Sequence, residues 1–165
     1  MTLRHADEPD DHAVGELLIR AFDTQNSNKM PGVVSSPERY ADLRNRAQKR
    51  KDATVLVGEI DGTLAGTITL YRWGAPGNEA WLQGAAGLRY LAIEPRFAGK
   101  GLSTLFITEA KKLAVDWRAS AICLRVRSGA TGVQRLYSLH GWERDPRGDL
   151  DLLPEIHLDG FTLPL

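Results

Sequence analysis

The spacing of apolar residues divides the chain into alternating strand-like and helix-like runs. Thr2 to His5 reads as a short strand. The acidic Asp7-Glu8-Pro9-Asp10 that follows suits a helix start, through capping side chains and negative charge at a helix amino end. Ala13, Val14, Leu17, Leu18 and Phe22 then recur at helical spacing and predict a helix to about Phe22. Thr24 to Ser36 holds Asn26, Ser27, Asn28, Pro31 and Gly32 without an apolar period and is expected to be a loop. Ser36-Pro37-Glu38 announces a second helix, with Tyr40, Leu43 and Ala47 on its apolar stripe. Arg39, Arg44, Arg46, Lys49 and Arg50 on its other face are expected to be a solvated surface rather than a basic binding patch.

Thr54 to Ile60 and Thr63 to Tyr71 are strand-like runs joined by Asp61-Gly62, a dipeptide that suits the positive backbone angles of a tight hairpin. A turn-rich Gly74-Ala75-Pro76-Gly77-Asn78 leads into an extended run from about Ala80 to Ile93, in which Gly84 and Gly87 are expected to mark a bulge or bend. From Leu102, the positions Leu105, Phe106, Ala110, Leu113 and Trp117 fit one helical face. Ile122, Leu124 and Val126 then alternate with Cys123, Arg125 and Arg127 as a half-buried strand. Gly129 to Leu139 predicts a short helix carrying Val133, Leu136 and Tyr137, and one or two closing strands follow Trp142. No internal repeat is present.

Composition narrows the classes. A length of 165 residues suits one domain spanning residues 1–165, and 42% hydrophobic with 25% charged residues is ordinary for a globular fold. Twenty-one basic residues balance twenty-one acidic ones, without the basic excess that displaces counterions from nucleic acid. No stretch approaches about 18 consecutive apolar residues, and the acidic start lacks the pattern of a signal peptide. A soluble, cytoplasmic protein without membrane or nucleic-acid partners is expected. The single cysteine, Cys123, excludes an internal disulfide.

Between Ile93 and Leu102 lies Glu94-Pro95-Arg96-Phe97-Ala98-Gly99-Lys100-Gly101, a glycine-containing loop that leaves a strand and enters a helix. Glycines let backbone approach a ligand and turn successive N–H groups toward it, and the helix amino end adds free donors and partial positive charge. Lys100 adds a full charge. Neither the Gly-Lys-Ser/Thr ending of a nucleotide triphosphate loop nor the three-glycine dinucleotide fingerprint is present.

Leu88-Arg89-Tyr90-Leu91-Ala92-Ile93-Glu94-Pro95, then Gly99-Lys100-Gly101-Leu102, then Leu136-Tyr137-Ser138-Leu139-His140-Gly141-Trp142 resembles the motif series of the GNAT acetyltransferases. Val57-Gly58-Glu59, Asp61-Gly62 and Ala65-Gly66 are similar to that family's second and third strands, so the resemblance runs from about Ala53 to Trp142. It implies an α/β (α+β) fold: a mostly antiparallel, twisted sheet flanked by helices and splayed near Ile93 and Val126, where acetyl-CoA enters as co-substrate. It further implies that the backbone of Leu91, Ala92 and Ile93 pairs with the pantetheine arm like an added strand. The N–H groups of Ala98, Gly99, Lys100, Gly101, Leu102 and Ser103 would hold the pyrophosphate. The loop departs from the family at Ala98, where Arg or Gln is usual, and at Ser103, where Gly or Ala is usual. The last helix departs at Ala130 and Val133. Tyr137 falls where the family places a tyrosine that protonates the leaving thiolate, a transfer from a phenol of pKa about 10 to a thiol of about 8.5.

The implied reaction is acetyl transfer to a primary amine by direct attack, the acceptor being a small molecule or a protein amino group. Such transfer requires a base, and Gly84 to Tyr90 contains no acid. Glu79 and Glu94 are the nearest carboxylates, both read as solvated turn residues. A non-catalytic acyl-CoA-binding or regulatory module is the alternative. A third reading is a partner-binding subunit, a homodimer formed by exchange of an exposed carboxyl-terminal strand ending Phe161-Thr162-Leu163-Pro164-Leu165. His5, His12, His140 and His157 lack metal-ligand spacing, so no metal is expected. Cys123 reads as a small buried hydrophobe. Trp73, Trp81, Trp117 and Trp142 read as core or rim residues, the first two also as candidates to line an acceptor pocket.

Overall fold

The computed structural model describes residues 1–29, 36–153 and 156–165. It contains β1 (Thr2–His5), α1 (Asp11–Lys29), α2 (Pro37–Arg44), α3 (Arg46–Asp52), β2 (Thr54–Ile60), β3 (Thr63–Tyr71) and β4 (Ala86–Ile93). There follow α4 (Leu102–Asp116), β5 (Ala121–Arg127), α5 (Thr131–Leu139), β6 (Glu143–Arg144), β7 (Leu150–Leu153) and β8 (Ile156–Pro164). The strands form one eight-stranded sheet in the order β1-β2-β3-β4-β5-β8-β6, with β7 paired to β8. The mixed α/β class with a mostly antiparallel sheet is as the sequence implies; β4 and β5 run parallel, through Ala86↔Ile122 and Gly87↔Cys123. The residues cluster into two compact units, Met1–Thr69 with Tyr90–Thr108, and Leu70–Arg89 with Glu109–Leu165.

In the first unit β1 pairs antiparallel with β2, from Thr2↔Glu59 to His5↔Leu56. Asp61 and Gly62 both adopt positive φ, 50° and 74°, as the hairpin dipeptide demands. Helix α1 buries Val14, Leu17, Leu18 and Ala21. It does not stop near Phe22 but runs to Lys29, so the expected loop is helical as far as residue 29, and residues 30–35 lie outside the described residues. The polar stretch from Thr24 lacks an apolar stripe but also lacks Gly or Pro before Pro31, and an established helix extends through such residues at small cost.

The second predicted helix starts as expected: the Ser36 hydroxyl accepts from the Arg39 N–H at 3.1 Å, with Pro37 in the first turn. It breaks at Asn45 (φ −77°, ψ 67°) into α2 and α3. The break turns Arg46 and Lys49 inward, where they are 2% and 8% exposed. The solvated face expected for them is therefore wrong; Lys49 donates to an Asp42 carboxylate oxygen at 2.6 Å, and the Arg46 guanidinium lies 4.9 Å from the Tyr90 ring centroid.

In the second unit β5 pairs antiparallel with β8 over seven positions, from Ala121↔Pro164 to Arg127↔Leu158. Three closing strands form rather than one or two. The carboxyl-terminal strand is not an open edge: β8 carries β5 on one side and β6 and β7 on the other. The extended run expected from Ala80 begins as a strand only at Ala86. Gly84 (φ 77°) is a turn ahead of it. Gly87 is instead a close-approach residue, since a Cβ there would stand 2.4 Å from Asn78 Oδ1. The Asn78 side chain stitches that segment together, donating to the carbonyls of Arg72 (2.9 Å) and Ala85 (3.2 Å) and accepting from the Ala80 N–H (2.9 Å).

Candidate functional site

The first unit contains the glycine loop. Gly58 and Gly66, on adjacent strands β2 and β3, face the start of α4: a Cβ at Gly58 would lie 2.8 Å from Leu102 Cδ1, and one at Gly66 2.9 Å from Phe106 Cε2. Two missing side chains thus let α4 begin tight against the sheet. The same Gly66 position abuts the Ala92 carbonyl oxygen (2.9 Å) and Ile93 Cδ1 (2.8 Å), and the Glu94 N–H donates to the Ala65 carbonyl at 2.7 Å. The end of β4 and the start of α4 are fixed by one pair of small residues.

Between them a 3-10 turn, Pro95–Phe97, closes with the Ala98 N–H donating to the Pro95 carbonyl at 3.2 Å. Outward-facing donors therefore begin after Ala98. Gly99 and Gly101 have φ of 78° and 88°, the left-handed region that costs a side chain energy, and no atom lies within 4 Å of where a Gly99 Cβ would stand. The Gly101 carbonyl accepts the first bond of α4 from Leu105 N–H at 3.2 Å, so the first-turn N–H groups from Leu102 onward lie beyond the reach of intrahelical acceptors. Gly99, Lys100 and Gly101 are exposed, Ser103 is half-buried, and Leu102 is buried as the anchor of the helix. The cradle is open, backbone-built and carries the helix's partial positive charge, which fits a pyrophosphate.

Immediately before Leu91-Ala92-Ile93, Tyr90 has a φ of 57° within β4. The irregularity sought at the glycines sits at this tyrosine instead. A non-glycine residue holds such a conformation only when its surroundings enforce it; the Tyr90 hydroxyl donates to Asp42 at 3.1 Å, and its ring packs under Arg46. Asp42 is the carboxylate that the strand pattern did not reveal, because α2 brings it to β4 over 48 positions of sequence. Burial works to raise its pKa, but the Lys49 hydrogen bond and charge, joined by Tyr90 and Arg39, prevail and hold it below the usual range. Glu94 is no free turn residue: Arg20 meets it side-on, Nε and Nη2 donating to its two carboxylate oxygens at 3.2 and 2.7 Å.

The second unit contains Tyr137. It is 5% exposed, edge-on to Trp142 at a ring separation of 5.5 Å, and Trp142 donates to the Ile122 carbonyl at 3.1 Å. Burial pushes the phenol well above its usual value, so it remains protonated through the physiological range. Cys123 is packed with Ala85 and Ala121 against Ala80, Trp81 and Leu82, and burial raises its thiol pKa. Glu79 is half-exposed and meets Arg89 and Arg125. Trp73 is half-exposed, whereas Trp81 is tied down by donating to Asp145 at 2.9 Å.

Asp145 is a hub that the sequence did not signal. It also accepts from Thr162 Oγ1 (2.7 Å) and from Arg147 through the backbone N–H (3.2 Å), Nε (2.9 Å) and Nη2 (3.0 Å). Arg147 first, with Trp81 and Thr162, holds its carboxyl far below the ordinary range against the opposing pull of burial. Among the described residues no group of three or more His, Cys, Asp or Glu could hold a metal, and no helix is long and apolar enough to cross a membrane.

A profile of the acetyltransferase (GNAT) family matches residues 14–142. The chain belongs to the GNAT acetyltransferases. Solved GNAT structures share its fold along essentially its whole length. The ribosomal-protein-alanine N-acetyltransferase of Brucella melitensis superposes with a TM-score of 0.72 at 19% identity, covering 100% of both chains. A GNAT acetyltransferase of Staphylococcus aureus gives 0.74 at 15% identity, covering 99% of this chain and 98% of the other. PaiA N-acetyltransferase of Thermoplasma acidophilum, solved in complex with coenzyme A, gives 0.72 at 16% identity, with coverage of 99% and 98%. No curated relative matches this GNAT chain at the sequence level.

Proposed function

We propose that this chain, as one domain over residues 1–165, is an N-acetyltransferase that uses acetyl-CoA to acetylate a primary amine on a small molecule or a protein. The observation that carries this reading is the pair of left-handed glycines, Gly99 and Gly101, opening a backbone cradle at the amino end of α4 within a GNAT fold. The complex of the Thermoplasma relative with coenzyme A supports the same co-substrate. When bound, acetyl-CoA would supply an activated thioester for direct attack by a neutral amine, the carbon–sulfur bond breaking as the carbon–nitrogen bond forms, with coenzyme A leaving as a thiolate and the surplus proton on nitrogen passing to water.

The N–H groups of Gly99, Lys100, Gly101, Leu102 and Ser103 bind the pyrophosphate, while that of Ala98, committed to Pro95, only closes the turn. The backbone of Leu91, Ala92 and Ile93 presents an extended edge to the pantetheine arm, set by the irregularity at Tyr90. Tyr137 holds a proton on its buried hydroxyl and is the group we assign to donate it to the departing sulfur. Its raised pKa makes the transfer steeper than between free phenol and thiol, so donation depends on a thiolate made strongly basic by the same dry surroundings. A single, buried cysteine suits the reducing cytoplasm in which we place the enzyme.

The test is calorimetric titration with acetyl-CoA, followed by thiol-release assays over a panel of amines. Micromolar binding that disappears in Gly101→Glu, together with amine-dependent thiol release, is the expected result. Binding without release on any amine would leave an acyl-CoA-binding module, and no binding would overturn the assignment.

A further inference from the structure

Near the middle of β4 and β5, three side chains form an arrangement that the acetyl donor does not use. Gly87 and Cys123 are partners in the parallel ladder, and Arg89 and Arg125 each stand two residues further along, on the same face. Glu79, from the segment before β4, bridges them: Oε1 lies 3.4 Å from Arg89 Nη1 and Oε2 lies 3.3 Å from Arg125 Nη1.

Both arginines are fixed from behind. Arg89 Nη1 donates to the Gly77 carbonyl at 3.1 Å, and the guanidinium lies 6.0 Å from the Tyr71 ring centroid. Arg125 Nε donates to the Gly148 carbonyl at 2.6 Å and Nη1 to the Glu79 carbonyl at 3.3 Å, and the guanidinium lies 4.9 Å from the Trp81 ring centroid. The carboxylate between them is held differently. Guanidinium–carboxylate hydrogen bonds ordinarily close to about 2.7–2.9 Å, and both contacts of Glu79 are longer. Its side chain is 51% exposed, against 26% for Arg89 and 18% for Arg125. Two rigid, half-buried cations thus hold one loosely seated, half-exposed carboxylate, and that carboxylate demonstrates which chemical group the gap accepts.

We infer that Arg89 and Arg125 form a carboxylate-binding site of which Glu79 is the resident, displaceable occupant, and that the acceptor amine is an amino acid whose carboxylate takes its place. The inference rests on the acetyltransferase reading for its link to an acceptor, Arg89 standing two residues before Leu91 on the same strand. The exchange is purely ionic: Glu79 swings to solvent, the incoming carboxylate takes over both guanidinium contacts, and no covalent bond changes.

The experiment is calorimetric titration without acetyl-CoA, using the twenty common amino acids beside phenethylamine, isobutylamine and putrescine, which lack a carboxylate. Wild type, Glu79→Gln and Arg89→Gln are compared, with thermal unfolding of each as the check of folding. We expect at least one amino acid to bind while the three amines do not. Glu79→Gln should tighten that binding about tenfold and Arg89→Gln should weaken it at least about tenfold. The inference is overturned if no amino acid binds even Glu79→Gln, or if Glu79→Gln lowers the unfolding temperature and leaves affinity unchanged, the behaviour of a structural staple. Thiol-release assays separate the two readings. Amino-acid binding that responds to both substitutions, without acetyl transfer, keeps the carboxylate site and removes the acetyltransferase. Transfer to putrescine as fast as to any amino acid, and unaltered in Arg89→Gln, keeps the acetyltransferase and removes the site.

Discussion

The loop from Ala98 to Ser103 and the turn around Asp145 each follow a strand and each present a polar centre, built by opposite means. The loop uses backbone: its two essential residues have no side chains, and what matters is that φ is positive at Gly99 and Gly101 and that nothing stands where a Cβ would go. The turn uses one side chain, a carboxylate 7% exposed that accepts five hydrogen bonds from three residues distant or near in sequence. A backbone-built centre tolerates changes of residue type at Ala98 or Ser103 and is destroyed by adding bulk at a glycine. A side-chain-built centre is destroyed by deleting one group. The first keeps its N–H donors open, whereas the second is fully satisfied and ties two loops to the sheet.

Substitutions at five positions sharpen or break this contrast. Asp145→Ala leaves the Trp81 and Thr162 donors without their acceptor and should cost about 3 kcal/mol in denaturant-measured stability. Because the folded pKa of Asp145 is depressed, its contribution is fully present above about pH 4 and is lost as pH falls toward the folded value. The gap in unfolding free energy between wild type and Asp145→Asn should therefore be flat from pH 7 to 5 and shrink below pH 4; a gap that widens on acidification contradicts the hub. Gly101→Glu should weaken acetyl-CoA about 100-fold, about 2.7 kcal/mol, against only about 1 kcal/mol of lost stability from a side chain at positive φ. Comparable affinity in that variant would move the phosphate site elsewhere.

Gly66→Ala sets a Cβ against backbone at Ala92 and should cost about 2 kcal/mol of stability. It should also weaken acetyl-CoA, since it displaces the strand end and the helix start together. Tyr137→Phe should lower kcat at least about tenfold with KM nearly constant; unchanged kcat would make the tyrosine a packing residue against Trp142. Arg20→Ala removes an exposed partner of Glu94 and should cost only about 0.5 kcal/mol.

Much of the framework was legible before folding. Asp61-Gly62 announced its hairpin because few dipeptides accept two consecutive positive φ values. Ser36-Pro37 announced α2 because capping is chemistry local to four residues. The glycine loop was found because its function, if it binds phosphate, resides in backbone freedom, which glycine alone signals. Side-chain partners over long separations were not legible. Asp42 meets Tyr90 and Asp145 meets Trp81 and Thr162 across 48, 64 and 17 positions, and no periodicity reports such pairs. The inward turn of Arg46 and Lys49 was missed for a related reason: one residue, Asn45, breaks the helix and rotates the face that follows.

By itself the sequence determined the element order as far as α5 apart from the break at Asn45, the strand–glycine loop–helix unit and the family, because periodicity, capping and positive-φ residues are local physics written in a few neighbouring positions. Only the tertiary structure decided where the charges go. It buried Lys49 on Asp42, closed Arg20 on Glu94 and set Glu79 between Arg89 and Arg125. Desolvation and Coulomb energy depend on three-dimensional distance and burial, and neither exists until the chain has folded.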